Sequence, residues 1–201
     1  MKRVLVVGAT GLLGRSIVKV LGETAEVVEA SRSGSSEIVD ITDPRSIEHL
    51  FGRIGEVDAV ICVAGMAPFL PWSDATDGDW GIGISSKLMG QVNLVRIGAP
   101  FVRDGGAVIL TTGVLSDQPI PGSSIVTTVN SAVDGFVRAA AIEVGRGVRV
   151  AAVSPGWICE TMEAMGMDSS AGLPAAEVAR VYIRLLEEDV TGCSVVAAKG
   201  M

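Results

Sequence analysis

Glycine recurs at every third position in Gly8-Ala9-Thr10-Gly11-Leu12-Leu13-Gly14, between the apolar run Arg3 to Val7 and a stretch of helical spacing, Leu12 to Leu21. Few chain paths tolerate that spacing at that junction. It predicts a buried strand that turns sharply at its carboxyl end and enters a helix with almost no connecting loop. Gly8 makes the tight turn, Gly11 lets backbone approach a ligand closely, and Gly14 lets helix and strand pack closely. The helix start then offers free N–H groups and the positive end of its dipole to an anion. Dinucleotide binding is the leading expectation, with Gly8, Thr10, Gly11, Leu12, Leu13 and Gly14 at the pyrophosphate. A ligand-free strand-to-helix turn is the plain alternative.

The remaining chain keeps the same rhythm. Apolar runs at Val57 to Val63, Ala107 to Thr111, Val148 to Val153 and Ser194 to Ala197 alternate with helical stretches at Ser46 to Ile54 and near 76–99, 125–144 and 174–187. Strands that are apolar throughout belong to a parallel sheet covered on both faces. The expected fold is therefore α/β, a doubly wound parallel sheet of the Rossmann type, in a single domain spanning residues 1–201. Right-handed crossovers put the ligand crevice at the carboxyl ends of the strands. The second strand, Glu26 to Ala30, runs into Ser31-Arg32-Ser33. No acid is present there to hold a ribose 2′-hydroxyl, and a guanidinium flanked by hydroxyls suits a 2′-phosphate, so the expected cofactor is NADP.

Composition removes other classes of function. Sixteen Lys and Arg against twenty-three Asp and Glu leave a net charge of −7, which repels nucleic acid and anionic lipid. The uncharged stretch from Ala59 to Trp72 is broken by Gly65, Pro68 and Pro71 and does not make a spanning helix. The glycines that follow Lys2 and Arg3 are unlike a secretory signal. A cytoplasmic protein without membrane or nucleic-acid partners is expected. Cys62, Cys159 and Cys193, odd in number and set among apolar residues, read as buried thiols in a reducing compartment, with no metal site. The chain has one His (His49), one Tyr (Tyr182) and four Lys, so its chemistry draws on few groups. His49 falls in a surface helix with no nucleophile near it in sequence, which disfavours a Ser-His-Asp hydrolase.

Taken in order, these segments resemble the short-chain dehydrogenase/reductase family over essentially the whole chain. Asp40-Ile41-Thr42-Asp43 is similar to the family's adenine-binding Asp segment, and Val63-Ala64-Gly65 stands where the family has Asn-Ala-Gly. Ser154-Pro155-Gly156-Trp157-Ile158 followed by Thr161 resembles the Pro-Gly segment beside the nicotinamide. The resemblance implies cofactor contacts at Ser31, Arg32, Ser33, Asp40, Ile41, Val63, Ala64, Gly65, Pro155, Gly156 and Ile158.

The departures bear on the reaction. The family's catalytic Tyr and Lys fall on Val126 and Asn130, so neither group is present. Tyr182, among Val178, Val181, Leu185 and Leu186, reads as a packing residue. The family Ser falls near Thr112, with Thr111 and Ser116 as competitors. Lys87, in Ser86-Lys87-Leu88-Met89-Gly90, replaces the family's helix Asn and is implied to face the pocket. Lys87, assisted by Thr112 and Asn130, is the expected catalytic group for reducing a carbonyl or activated alkene on a small-molecule substrate. A redox-inactive nucleotide-binding regulator and a non-redox isomerase or cyclase are the competing readings. Trp72 and Trp80 read as packing residues, and Met162, Met165 and Met167 as core filling or a flap. The resemblance further implies a homodimer or homotetramer.

Overall fold

The computed structural model describes residues 1–22 and 24–198. Seven strands form one all-parallel sheet: β1 (Lys2–Val7), β2 (Ala25–Ser31), β3 (Glu37–Ile38), β4 (Val57–Cys62), β5 (Val102–Thr111), β6 (Arg149–Pro155) and β7 (Ser194–Ala197), in the order β3-β2-β1-β4-β5-β6-β7. Strand order reverses between β1 and β4, which places the ligand crevice beside the glycine turn. The doubly wound fold is as the sequence predicts, since Val4 to Val7 and Val60 to Cys62 are buried on both faces.

Helices α1 (Leu12–Leu21) and α7 (Ala175–Glu187) cover one face, burying Ile17, Leu21, Val178, Tyr182 and Leu185 against Val4, Val6, Ile61 and Ile109. Helices α2 (Pro44–Ile54), α4 (Gly90–Gly98) and α5 (Ser124–Glu143) cover the other, where Phe51, Leu94, Val133 and Val137 meet Leu5, Val60, Val108 and Leu110. The cap on α2 follows from its sequence: Asp43 accepts from the Arg45 N–H and Pro44 occupies the first helical position. Thr76 and Asp79 form a reciprocal capping box that starts α3 (Asp77–Gly83).

Three features differ from expectation. The predicted helix near 76–99 is α3, a π-helical turn at Ile84–Met89, and α4. The edge strand β3 and the short α6 (Cys159–Ala164) have too few residues to show a period. Helix α5 is long and apolar enough to cross a membrane by length and composition, yet its Ile125, Val129, Val133 and Val137 are fully buried in the fold, as in a core helix. The thiols are not uniformly buried: Cys62 is, Cys159 is half-buried and Cys193 exposed, because the last lies in the turn before β7. Trp72 is 73% exposed and does not pack, since it lies in a proline-rich loop outside the sheet's cover.

Candidate functional site

The glycine turn owes its shape to two backbone approaches that no side chain permits. A Cβ on Gly14 would lie 2.0 Å from the Gly8 carbonyl oxygen, and one on Gly8, at φ +92°, would lie 2.8 Å from the Ala64 nitrogen. The turn is tied down on both sides. Ser31 Oγ accepts from the Thr10 N–H at 3.1 Å, and Arg15 donates to the Thr10 carbonyl. The N–H groups of Leu12 and Leu13 find no acceptor among the described residues, leaving the helix start open to an anion.

Above this turn lies a cavity of about 250 Å³ at the ends of β1, β2 and β4. Gly8, Thr10, Gly11, Ser31, Arg32 and Ser33 line one side of it, and Asp40, Ile41, Val63, Ala64 and Gly65 the other. Arg32 has no ion pair or hydrogen bond among the described residues, so its guanidinium is free for an anion. Asp40 accepts from the backbone N–H and the hydroxyl of Thr42, which fixes its carboxylate at the rim. Leu12 and Gly14 line no part of the cavity; the first presents only its N–H, and the second serves packing.

Val63 and Gly65 also border a second cavity of about 340 Å³, at the ends of β4, β5 and β6, so the two form one crevice. Lys87, Thr112 and Asn130 line this cavity together with Val126, Pro155, Gly156 and Ile158. Lys87 sits in the π-helical turn, and its stem lies against Gly65, whose Cβ would fall 3.2 Å from Lys87 Cδ. Burial in this apolar cleft pulls the Lys87 ammonium down to about 8, with Cys62 and Asp134 partly opposing the shift.

Thr111 and Thr112 both border this cleft, and they differ in how their hydroxyls are engaged. The Thr111 hydroxyl donates to the Cys62 carbonyl at 2.6 Å and therefore accepts, at 2.7 Å, from the hydroxyl of Tyr182. Tyr182 is fully enclosed on the α7 side, and burial pushes its phenol well above its ordinary value. It packs, as predicted. Thr112 lines the cleft, and its hydroxyl donates to the Asn130 carbonyl at 3.2 Å. Ser116 lines neither cavity. Asn130 is 3% exposed, and its side-chain oxygen has no partner among the described residues. An unpaired buried acceptor of this kind is costly in the interior.

Gln91 completes the site and escaped the sequence reading. Its fully buried amide donates to the Lys87 carbonyl at 3.0 Å and the Thr111 carbonyl at 2.9 Å, and accepts from the Thr111 N–H at 2.8 Å. The ladder between β4 and β5 ends at Ile61 and Ile109. Beyond that point the amide takes the place of a neighbouring strand for Thr111 and anchors the turn bearing Lys87. The signal was available: with Leu94, Val95 and Gly98, Gln91 occupies the helical spacing of a buried face, where an amide is out of place.

A family model described as enoyl-(acyl carrier protein) reductase matches residues 15–200. The hydroxynaphthalene reductase of Aspergillus fumigatus is 28% identical over 170 residues, covering 77% of this chain and 62% of that protein. The chain spans 54 to 63% of the length of such curated relatives. Among solved structures, the protein lin1944 from Listeria innocua is 35% identical at a TM-score of 0.93, over 98% of this chain and 99% of that one. A small-chain dehydrogenase in complex with NADPH is 27% identical at a TM-score of 0.88, over 99% and 97% of the two chains.

Proposed function

The chain belongs to the short-chain dehydrogenase/reductase family, and from that premise we propose that it is a cytoplasmic NADP(H)-dependent oxidoreductase acting on a carbonyl or activated alkene. The observation that carries this reading is the meeting of Lys87, Thr112 and Asn130 in a cleft continuous with the glycine-turn cavity. When bound, a reduced nicotinamide supplies the hydride. The protein's part is to hold, orient and polarise. The free N–H groups of Leu12 and Leu13 suit the pyrophosphate, Arg32 and Ser33 the 2′-phosphate, and Asp40 and Ile41 the adenine. Val63, Gly65, Pro155, Gly156 and Ile158 border the cleft where the nicotinamide half belongs.

Reduction of a carbonyl develops negative charge on oxygen, and Lys87 offers it an N–H donor in a water-poor cleft. The Thr112 hydroxyl, bonded only to a carbonyl, can turn its proton to the same oxygen. Leu13, Ala67, Leu115 and Trp157 make the wall apolar, which favours a substrate with an apolar body. Lys87→Ala is expected to abolish turnover, followed as NADPH absorbance, while cofactor affinity is retained; equal turnover in the variant contradicts the assignment. The loss of the family's Tyr and Lys at Val126 and Asn130 favours a second reading, a redox-inactive nucleotide-binding protein, which consumes no NADPH with any substrate. Self-association as a homodimer or homotetramer is part of the proposal, supported by the apolar groove between α4 and α5 at Val92, Val95, Phe136 and Ala139.

A further inference from the structure

Lys87 is an amine without an anion. Its Nζ makes no hydrogen bond or ion pair with any described residue, although the residue borders a cleft of about 340 Å³. The charged groups that bear on it are two. Asp134, on α5, already accepts a 2.5 Å hydrogen bond from the Ser194 hydroxyl, and Cys62, on β4, is a buried thiol whose burial raises it to about 11 and keeps it neutral. Neither makes a hydrogen bond or ion pair with the amine among the described residues. Around it the cleft is walled by Leu13, Val63, Val114, Val126 and Ile158. Gly65 packs against the Lys87 stem, and both residues border the cavity.

We propose that Lys87 captures an α,β-unsaturated aldehyde or ketone covalently, as an imine, before reduction. The amine adds to the carbonyl carbon, forming a C–N bond, and the carbonyl oxygen leaves as water after proton transfer. Protonated, the iminium draws electrons from the conjugated double bond and makes its β-carbon the electrophilic site. Hydride from a reduced nicotinamide at that carbon, a proton at the α-carbon and hydrolysis of the C–N bond return the free amine and a saturated carbonyl compound. A substrate without the alkene would accept hydride at the iminium carbon and leave Lys87 alkylated, so the chemistry selects the conjugated class. The inference rests on the proposed reading of the cleft as the reaction chamber and changes the part played by Lys87 from proton donor to nucleophile.

The test needs neither the substrate nor the cofactor. Intact protein is treated with benzaldehyde and sodium cyanoborohydride at pH 8, and benzylated lysines are mapped by peptide mass spectrometry. The N-terminal α-amine is scored apart. Lys87 should be modified about tenfold faster than Lys2 and Lys19, because its much larger neutral share at pH 8 outweighs the weaker nucleophilicity of a less basic amine. Modification of Lys87 no faster than of Lys2 and Lys19 overturns the proposal. Failure of the oxidoreductase reading is separate, because it would show as absent NADPH binding with the trapping result unchanged.

Discussion

A cation set in an apolar cleft costs folding free energy, and Lys87 puts that cost where the chemistry is expected. Its folded pKa of about 8 lies below the ordinary lysine value of 10.5. Between those two values the unfolded chain holds more protons than the folded one, so stability rises with pH across that window and the full cost is present below it. Lys87→Met is therefore expected to be more stable than the parent at pH 7, by about 1 kcal/mol once screening at the cleft mouth is discounted. The difference should vanish by about pH 10.5, as urea unfolding of both proteins at several pH values would show. A difference that does not change with pH would contradict the buried-ammonium account. The placement of Lys87 was legible only through the resemblance to a family, because the apolar helix around it gives a lysine no reason to point inward.

Between elements, the joints are polar side chains standing in for missing backbone partners. Gln91 bridges the gap where β4 and β5 part, and Gln91→Met would leave the Thr111 N–H and two carbonyls unpaired in the interior. A loss of about 3 kcal/mol or more is expected from groups of that kind. Thermal unfolding of the variant is the check, and a change within error would mean the groups find other partners. At the opposite, amino-terminal end of the strands, Asp58 accepts from the Arg3 N–H at 2.6 Å and from Arg103 at 3.0 Å, which holds its carboxyl below the ordinary range. Its contribution is present above the unfolded pKa and disappears as pH falls through the folded one. Asp58→Asn should cost about 1 kcal/mol at pH 7 and nothing in strong acid, measured by denaturant titration at both. Periodicity marks Gln91 as an amide on a buried face, but it reports faces and not long-range hydrogen bonds, so the partners of neither joint could be read from it. The π-helical turn and the two-residue β3 escaped for a related reason, since a single altered turn or two residues carry no period.

At the level of the whole molecule, alternation of apolar runs and helical stretches was enough to give the sheet, its covering helices and the end at which ligands bind. The glycine turn was legible because its three glycines are required by backbone contacts, as the 2.0 Å approach at Gly14 shows. The difference among Thr111, Thr112 and Ser116 was not, since it depends on which hydroxyl the folded interior already engages. The orphaned side-chain oxygen of Asn130 was also out of reach, for it exists only once α5 is docked beside Gly113. The proposed function requires that the crevice bind a phosphorylated dinucleotide beside Lys87. Calorimetric titration of the purified protein and its Arg32→Ala variant with NADPH and NADH tests this most directly. The account predicts tight binding of NADPH, weaker binding of NADH, and loss of most of that difference in the variant; binding of neither nucleotide would contradict it.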